Sequence, residues 1–501
     1  MIALVLAAVP FMLPPDVADG LVGTWLASVP APRSSLRYTG PGRPPAHLRL
    51  ALVIERERGA APRAYVVEPE LNYGALLRGR TVHEHAGRVS LTATGRRSVT
   101  GRILAGHLAL DLPGLGAATF RRATLAEGRA LTSTSRDSVP VGAAPPRTAD
   151  GWLTARPRDV AIDTQAVRAI VAGLANARGG LRVRRPHALL IARHGRLAVE
   201  AYFAGYGRDT LHDLRSAGKS LVPLLFAIAA GHDPTLTLRS RVVARIPREA
   251  PPHPDPREQR MTASDLMTMR SGFACDDDDD ASPGNEDRMQ SQTVQPDWYR
   301  YTLALPMVAE PGTRAVYCSA GMNLAGALIP DAAHASVVRV FTRELAAPLS
   351  ITRYAFPLQP APPHVAYLGG GQRLRPRDAL KFGQLILDAG RWNGRRVVDA
   401  RWIHVIITPQ AHVRGEIGAY GEAWHIYTYV VRGRRVTAIS AGGNGGQLVF
   451  AIPAYDLAIA INAGNYNQYP VWRSFITSTI PAILDAVAGS GGHSRIAGDT
   501  R

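Results

Sequence analysis

Strand-forming text stands at both ends of the stretch from residue 151 to 490 and helix-forming text fills its middle, an order that few folds satisfy. Thr164 to Leu174 has helical spacing, and Ala188 to Ala192 with Leu197 to Phe203 flank His194-Gly195 as a hairpin. From Ser216 to about Pro409 the chain reads as helical segments and loops, among them Leu221 to Ala230, Thr262 to Met269 and Asp378 to Leu387. Strands return at Ala423 to Val431, Arg435 to Ile439, Gln447 to Ile452 and Leu457 to Ile461, before a last helical segment from about Tyr469 to Val487. One antiparallel sheet built from both ends accommodates this order, with the terminal helices on one face and an all-helical lobe on the other.

Residues 21–124 alternate with a period near two, in short runs such as Leu48 to Ile54, Val89 to Ala93 and Leu108 to Leu112, which predicts a small all-β accessory domain. Residues 125–150 lack periodicity and read as a linker, and 491–501 read as a disordered tail. Within residues 1–20, the apolar stretch Ile2 to Leu13 has the length of a signal-peptide core and is too short to span a bilayer. No Lys or Arg precedes it, Pro10 interrupts it, and Asp16 stands where a small residue is wanted before Ala18. The expectation is a periplasmic or secreted protein, or a cytoplasmic one if the stretch is not a signal. No apolar run approaches 18 residues, so no integral membrane span is expected.

The chain carries 58 Lys and Arg against 40 Asp and Glu, a formal charge of +18. The arginines are spread along the sequence without a zinc-finger, helix-turn-helix or RNA-binding pattern, so no nucleic-acid partner is expected. Only Lys219 and Lys381 are lysine. Arginine keeps its proton in proteins whereas lysine can be tuned to lose it, so a retained lysine marks a position for chemistry that arginine cannot do.

The two cysteines, Cys275 and Cys318, are compatible in an exported protein with one disulfide or with two free buried thiols. A bridge would set the acidic run Asp276 to Asp280, with Glu286 and Asp287, beside Tyr317. That run lacks the EF-hand spacing and reads as an exposed acidic loop; His83 and His85 read as exposed strand residues. No metal and no cofactor is expected.

Ser216-Ala217-Gly218-Lys219 precedes the apolar run Leu221 to Ala230, placing a hydroxyl and an amine on one face near a helix start. A serine hydroxyl becomes a nucleophile when a neighbouring base takes its proton, and a desolvated lysine serves as that base. Pro223 stands inside the expected helix, where it would remove a hydrogen bond to the Lys219 carbonyl and kink the segment that carries the lysine. Tyr317-Cys318-Ser319 follows Glu310-Pro311-Gly312 at a loop-to-helix junction, which brings a phenol and a hydroxyl within reach of a pocket. Ser440-Ala441-Gly442-Gly443-Asn444-Gly445-Gly446-Gln447 sits at a strand end, where backbone N–H groups can face a carbonyl oxygen.

This ordered set resembles the serine β-lactamase and penicillin-binding-protein superfamily, in particular the β-lactamase-related serine hydrolases that include class C β-lactamases, DD-peptidases, esterases and the 6-aminohexanoate-dimer hydrolase. The likeness spans about residues 150 to 490 and also draws on Thr268-Met269-Arg270-Ser271-Gly272, Glu310-Pro311-Gly312-Thr313 and Pro376-Arg377-Asp378. It implies the family's α/β (α+β) fold, Ser216 as acylated nucleophile, Lys219 as proton acceptor and Tyr317 as proton shuttle. It further implies that Ser319 completes the second motif and that the Ser216 N–H forms the oxyanion hole with that of Asn444 or Gly443. Where lactamases usually carry Lys-Thr-Gly or His-x-Gly, this chain reads Ser440-Ala441-Gly442, without the cation that meets a substrate carboxylate. The expectation is therefore a serine hydrolase of the esterase or amidase type acting on a small ester, amide or β-lactam, of open oligomeric state. The alternatives are a β-lactamase or DD-peptidase, and a catalytically silent envelope-binding module.

Overall fold

The computed structural model describes residues 20–489, apart from 31–36, 43–45, 67–79, 94–95, 114, 132 and 177–183, together with 495–496. The apolar stretch Ile2 to Leu13 and most of the C-terminal tail lie outside the described residues.

The alternating N-terminal text folds as nine strands: β1 (Gly23–Pro30), β2 (Arg37–Thr39), β3 (His47–Glu55), β4 (Arg63–Val66), β5 (Arg80–His85), β6 (Arg88–Ala93), β7 (Arg96–Leu104), β8 (His107–Leu112) and β9 (Gly116–Arg122). All but β2 form a closed antiparallel barrel, in which β1 pairs with β3 and with β9. Alternate residues of β3, Leu48, Leu50, Leu52 and Ile54, fill its interior with Trp25, Val99, Leu110 and Phe120, as the period of two requires. β2 leaves the barrel and pairs instead with Tyr354–Leu358 of the following domain.

The segment expected to be a structureless linker begins with helix α1 (Leu125–Ala130), closed by a capping box in which Thr124 and Glu127 bond each other's backbone N–H. Beyond it the chain runs along a strand edge, with Ser135 and Val139 donating to the Tyr202 and Glu200 carbonyls. Edge pairing of this kind leaves no periodic signal, because the backbone makes the bonds.

The larger unit is built on a nine-stranded sheet. Helix α2 (Thr164–Ala175) is capped by Asp163, and Val167, Val171 and Leu174 form its buried stripe. Strands β10 (Leu153–Thr154), β11 (Pro186–Arg193), β12 (Arg196–Tyr202), β13 (Ala419–Tyr420), β14 (His425–Val431), β15 (Arg434–Gly443), β16 (Gln447–Ile452) and β17 (Leu457–Ala463) lie in the order β10-β12-β11-β17-β16-β15-β14-β13, with Arg495–Ile496 beside β14. Among the described residues β10 pairs with β12 in parallel and the other named strands pair antiparallel. Along β11, Ala188, Leu190 and Ala192 face one core while Leu189 and Ile191 face another, so both faces of this central strand are covered and its text is a continuous apolar run. Helices α2 and α6 (Ile480–Ala488) cover one face. The helical lobe covers the other, with α3 (Leu221–His232), α4 (Ser319–Ala325) and α5 (Pro376–Leu387). This is the expected layering.

Lys381 in α5 is fully buried; its Nζ donates to Asp378 Oδ1 at 2.7 Å and to the Leu349 carbonyl at 2.8 Å. A compact ammonium fits between these two acceptors, so this lysine is structural. Among the described residues no single helix is long and apolar enough to cross a membrane; the bent pair Ser319–Ala333 and Val337–Ala346 passes on length and composition together, and its apolar residues lie in the helical core.

Two contacts fasten the outer parts of the fold. Tyr466, just beyond β17, is 2% exposed and inserts into the barrel core. Replacing it by Ala should cost about 3 kcal/mol in denaturant unfolding, the usual range for emptying a large buried aromatic site. Cys275 and Cys318 form a disulfide across 43 residues. Its removal by the double substitution Cys275→Ser and Cys318→Ser should cost up to about 4 kcal/mol by the loop-entropy relation, read as a lower urea midpoint in non-reducing buffer than that of the natural chain.

Candidate active site

Residues Arg215–Ser220 form a 3-10 helix that leads into α3. In that geometry side chains three apart eclipse one another, and Lys219 Nζ donates to Ser216 Oγ at 2.7 Å. Pro223 does not disturb this. The α-helix begins at Leu221, so Pro223 falls in its first turn, where a proline is tolerated, and the Ser216–Lys219 contact is made with the proline in place. Arg215 takes a left-handed backbone with φ +50°, which costs strain for a non-glycine residue. Its N–H donates to Asp213 at 2.7 Å, and its guanidinium lies 4.4 Å over the Tyr466 ring, so the strained turn is held from both sides.

Lys219 is fully buried, and burial lowers its pKa, opposed by the negative charges of Glu286 and Asp277. Its Nζ also lies 4.9 Å over the ring of Tyr317, on the loop just before α4. Burial raises the Tyr317 phenol well above its ordinary pKa, helped by Tyr420, while a hydrogen bond with Ser216 works the other way. The phenol is neutral at physiological pH. Ser216, Lys219 and Tyr317 are thus brought together as the sequence predicts.

Ser319 binds the acidic segment, whose Asp277 borders the same space as Ser216. Its hydroxyl donates to Asp277 Oδ2 at 2.5 Å and its N–H to the same oxygen at 2.8 Å, and the side chain is fully buried. Asp277 Oδ1 also accepts the Glu286 N–H at 3.0 Å. The disulfide and these bonds pin the acidic segment against the start of α4, where Asp277 donates its N–H to the Tyr317 carbonyl.

Gly443 ends β15 directly opposite the nucleophile. A Cβ there would stand 2.5 Å from the Leu214 carbonyl oxygen and 3.1 Å from the Ser216 nitrogen, so only glycine permits this approach. The Asn444 side chain is tied to Asn467, donating to its Oδ1 at 2.7 Å and accepting its N–H at 2.8 Å. The arrangement aims the end of β15 at Ser216. In Ser440-Ala441-Gly442, Ser440 is buried and its Oγ bonds the Ala441 carbonyl.

Two spaces meet at Ser216. One, of about 120 Å³, runs between the acidic segment and the end of β15, with Tyr317, His425 and Trp472 in its walls. The other, of about 60 Å³, is closed by Tyr367, Gly370 and Tyr38, the last contributed by β2 from the N-terminal unit. Sequence reasoning did not find Tyr38 or His425, because each reaches the site through pairing or packing across long sequence distances. Only the adjacency of Cys275 and Cys318 to the acids and to Tyr317 carried a signal. Burial lowers the pKa of His425 to about 4, so its imidazole is neutral. Among the described residues no three His, Cys, Asp or Glu side chains are placed to hold a metal ion; the acids point apart, Asp276 pairing with Arg414 and Asp279 accepting the Ala281 N–H.

A family model described as Beta-lactamase matches residues 165–467. No curated protein matches the chain. A candidate beta-lactamase from Bacteroides dorei DSM 17855 is similar in structure, at TM-score 0.50 and 18% identity over 65% of this chain and 99% of that one. A family VIII carboxylesterase is similar at TM-score 0.49 and 16% identity, over 65% of this chain and 96% of its own. A penicillin-binding protein homologue from Caulobacter crescentus follows at 0.46 and 15%, over 60% and 91%. With more than half of its length matched and the catalytic-type dyad held in that fold, the chain belongs to the beta-lactamase family of serine hydrolases.

Proposed function

We propose that the protein hydrolyses an ester or amide through an acyl-enzyme on Ser216. The observation that carries this reading is the 2.7 Å contact between a fully buried ammonium group and the Ser216 hydroxyl. Desolvation favours the neutral amine, which accepts the hydroxyl proton as Oγ bonds to the substrate carbonyl carbon. The neutral phenol of Tyr317 is suited to pass a proton on to the departing alkoxide or amine, since a tyrosinate would require a pH far above physiological. The N–H groups of Ser216 and of Asn444 or Gly443 stabilise the oxyanion, and water then cleaves the acyl-enzyme and returns the serine.

The esterase or amidase branch is favoured over β-lactam or peptidoglycan substrates. No Lys or Arg stands among the residues lining the larger space, whereas a carboxylate-bearing substrate needs such a cation. Arg215 borders only the smaller space and is engaged by Asp213 and Tyr466.

Intact mass after exposure to a fluorophosphonate tests the reading. One adduct on the natural protein that is abolished in Ser216→Ala and slowed at least about a hundredfold in Lys219→Ala is expected; a folded protein with no adduct would defeat it. The base must be unprotonated, so labelling should rise with pH through the lysine's lowered pKa. Burial, helped by Glu286, raises the Asp277 carboxyl to about 7, so it is ionised above neutral pH and there favours the protonated lysine; Asp277→Asn should lower the lysine pKa further and move the rising limb of the rate profile to lower pH. A limb that stays in place or moves upward would show that Asp277 does not act on Lys219.

A further inference from the structure

We propose that the larger space beside Ser216 receives an organic ammonium group, so that the ester or amide cleaved here carries a positive charge on the portion seated in that space. This rests on the hydrolase reading and adds the charge class of the substrate.

The charge of the lining is the reverse of the chain's. On a protein of formal charge +18, six carboxylates border this space: Asp277, Asp278, Asp280, Glu286, Asp287 and Glu416. The cations nearby are partly committed, with Arg414 on Asp276 and Arg473 3.4 Å from Glu416. Lys219 lies buried beneath, and in the reactive state it is neutral. The field at the mouth is therefore negative, and a low-dielectric cleft concentrates such a field on an entering charge.

One further polar group in the same walls lacks a hydrogen bond: His425, 6% exposed, has its Nδ1 buried without a partner. Leaving buried polar atoms unpaired costs free energy that a bound ligand would recover. A neutral imidazole keeps one nitrogen free to accept an ammonium N–H. Tyr427 adds aromatic surface, which attracts cations through its negative face, while the rings of Tyr469 and Trp472 already carry the Arg473 guanidinium at 5.5 and 5.7 Å. Burial raises the Glu416 carboxyl, Asp278 adds to that rise, and Arg473 opposes it; a cation between the two acids would relieve their repulsion. The carboxylates surround the space without converging on one point among the described residues, which suits a diffuse organic cation better than a compact metal ion.

The test uses the full chain and three fluorophosphonates of matched size, whose arms end in a primary ammonium, in methyl and in carboxylate. Intact mass gives the rate of Ser216 modification for each. The cationic probe should react about tenfold faster than its neutral isostere in 0.05 M NaCl, with the anionic probe slowest. The cationic-to-neutral ratio should fall toward one in 0.5 M NaCl and in Asp278→Asn, an exposed position, with Glu416→Gln as the second variant. Labelling by all three probes at equal rates, or fastest by the carboxylate, overturns the proposal and leaves the hydrolase reading standing. No labelling by any probe overturns both.

Discussion

Seven register pairs between Pro186–Arg193 and Leu457–Ala463 join two stretches of chain more than 260 residues apart, and every other feature of the larger unit hangs on that pairing. It places the N-terminal hairpin and the C-terminal strands in one sheet with two covered faces. With both faces filled, the sheet is a rigid wall, and the end of Arg434–Gly443 stands at a fixed height beside the turn that carries Ser216. Close packing matters because interiors transmit displacement; a catalytic contact of 2.7 Å survives only where both partners are held.

Burial is the second organising influence. It holds Lys219 below its ordinary pKa and keeps Tyr317 and His425 neutral, so among these three groups only the lysine can carry a charge at physiological pH. Opposite it stands the acidic segment, fastened by the Cys275–Cys318 bridge and by the Asp277–Ser319 hydrogen bonds. The Ser216–Lys219 pair thus faces an acid-lined mouth, on a chain whose overall balance is basic. The N-terminal unit is attached to this arrangement through Tyr466 in the barrel core, through the hydrogen bond from Arg185 to Tyr65 of the barrel, and through β2, which sets Tyr38 beside Ser216.

Much of the site was legible because its parts are local. A serine and a lysine three residues apart share a face in either an α- or a 3-10 helix, so the spacing carried the contact even though the helix type differed from expectation. Scarcity of lysine helped as well, although it pointed equally to Lys381, whose ion pair with Asp378 is structural. Pro223 was misleading because its effect depends on where the helix starts, and one residue of boundary decides that. Ser319 was carried by likeness to a motif, but its hydroxyl is taken by Asp277, a partner 42 residues away. The capped helix after the barrel was missed although Thr124 and Glu127 spell a capping box, because the surrounding text has no apolar stripe to attract notice.

The sequence by itself determined the layered fold, the barrel's alternation and the Ser216–Lys219 pair, since periodicity and short spacing are properties of neighbouring residues, while Tyr317 joined that pair only through the family resemblance. Tertiary structure alone decided that Cys275 and Cys318 are bonded, that β2 leaves its barrel to line the cleft with Tyr38, and that His425 and Glu416 meet the acidic segment. These are contacts between distant pieces of chain, and their free energy comes from desolvation and packing that no local pattern encodes.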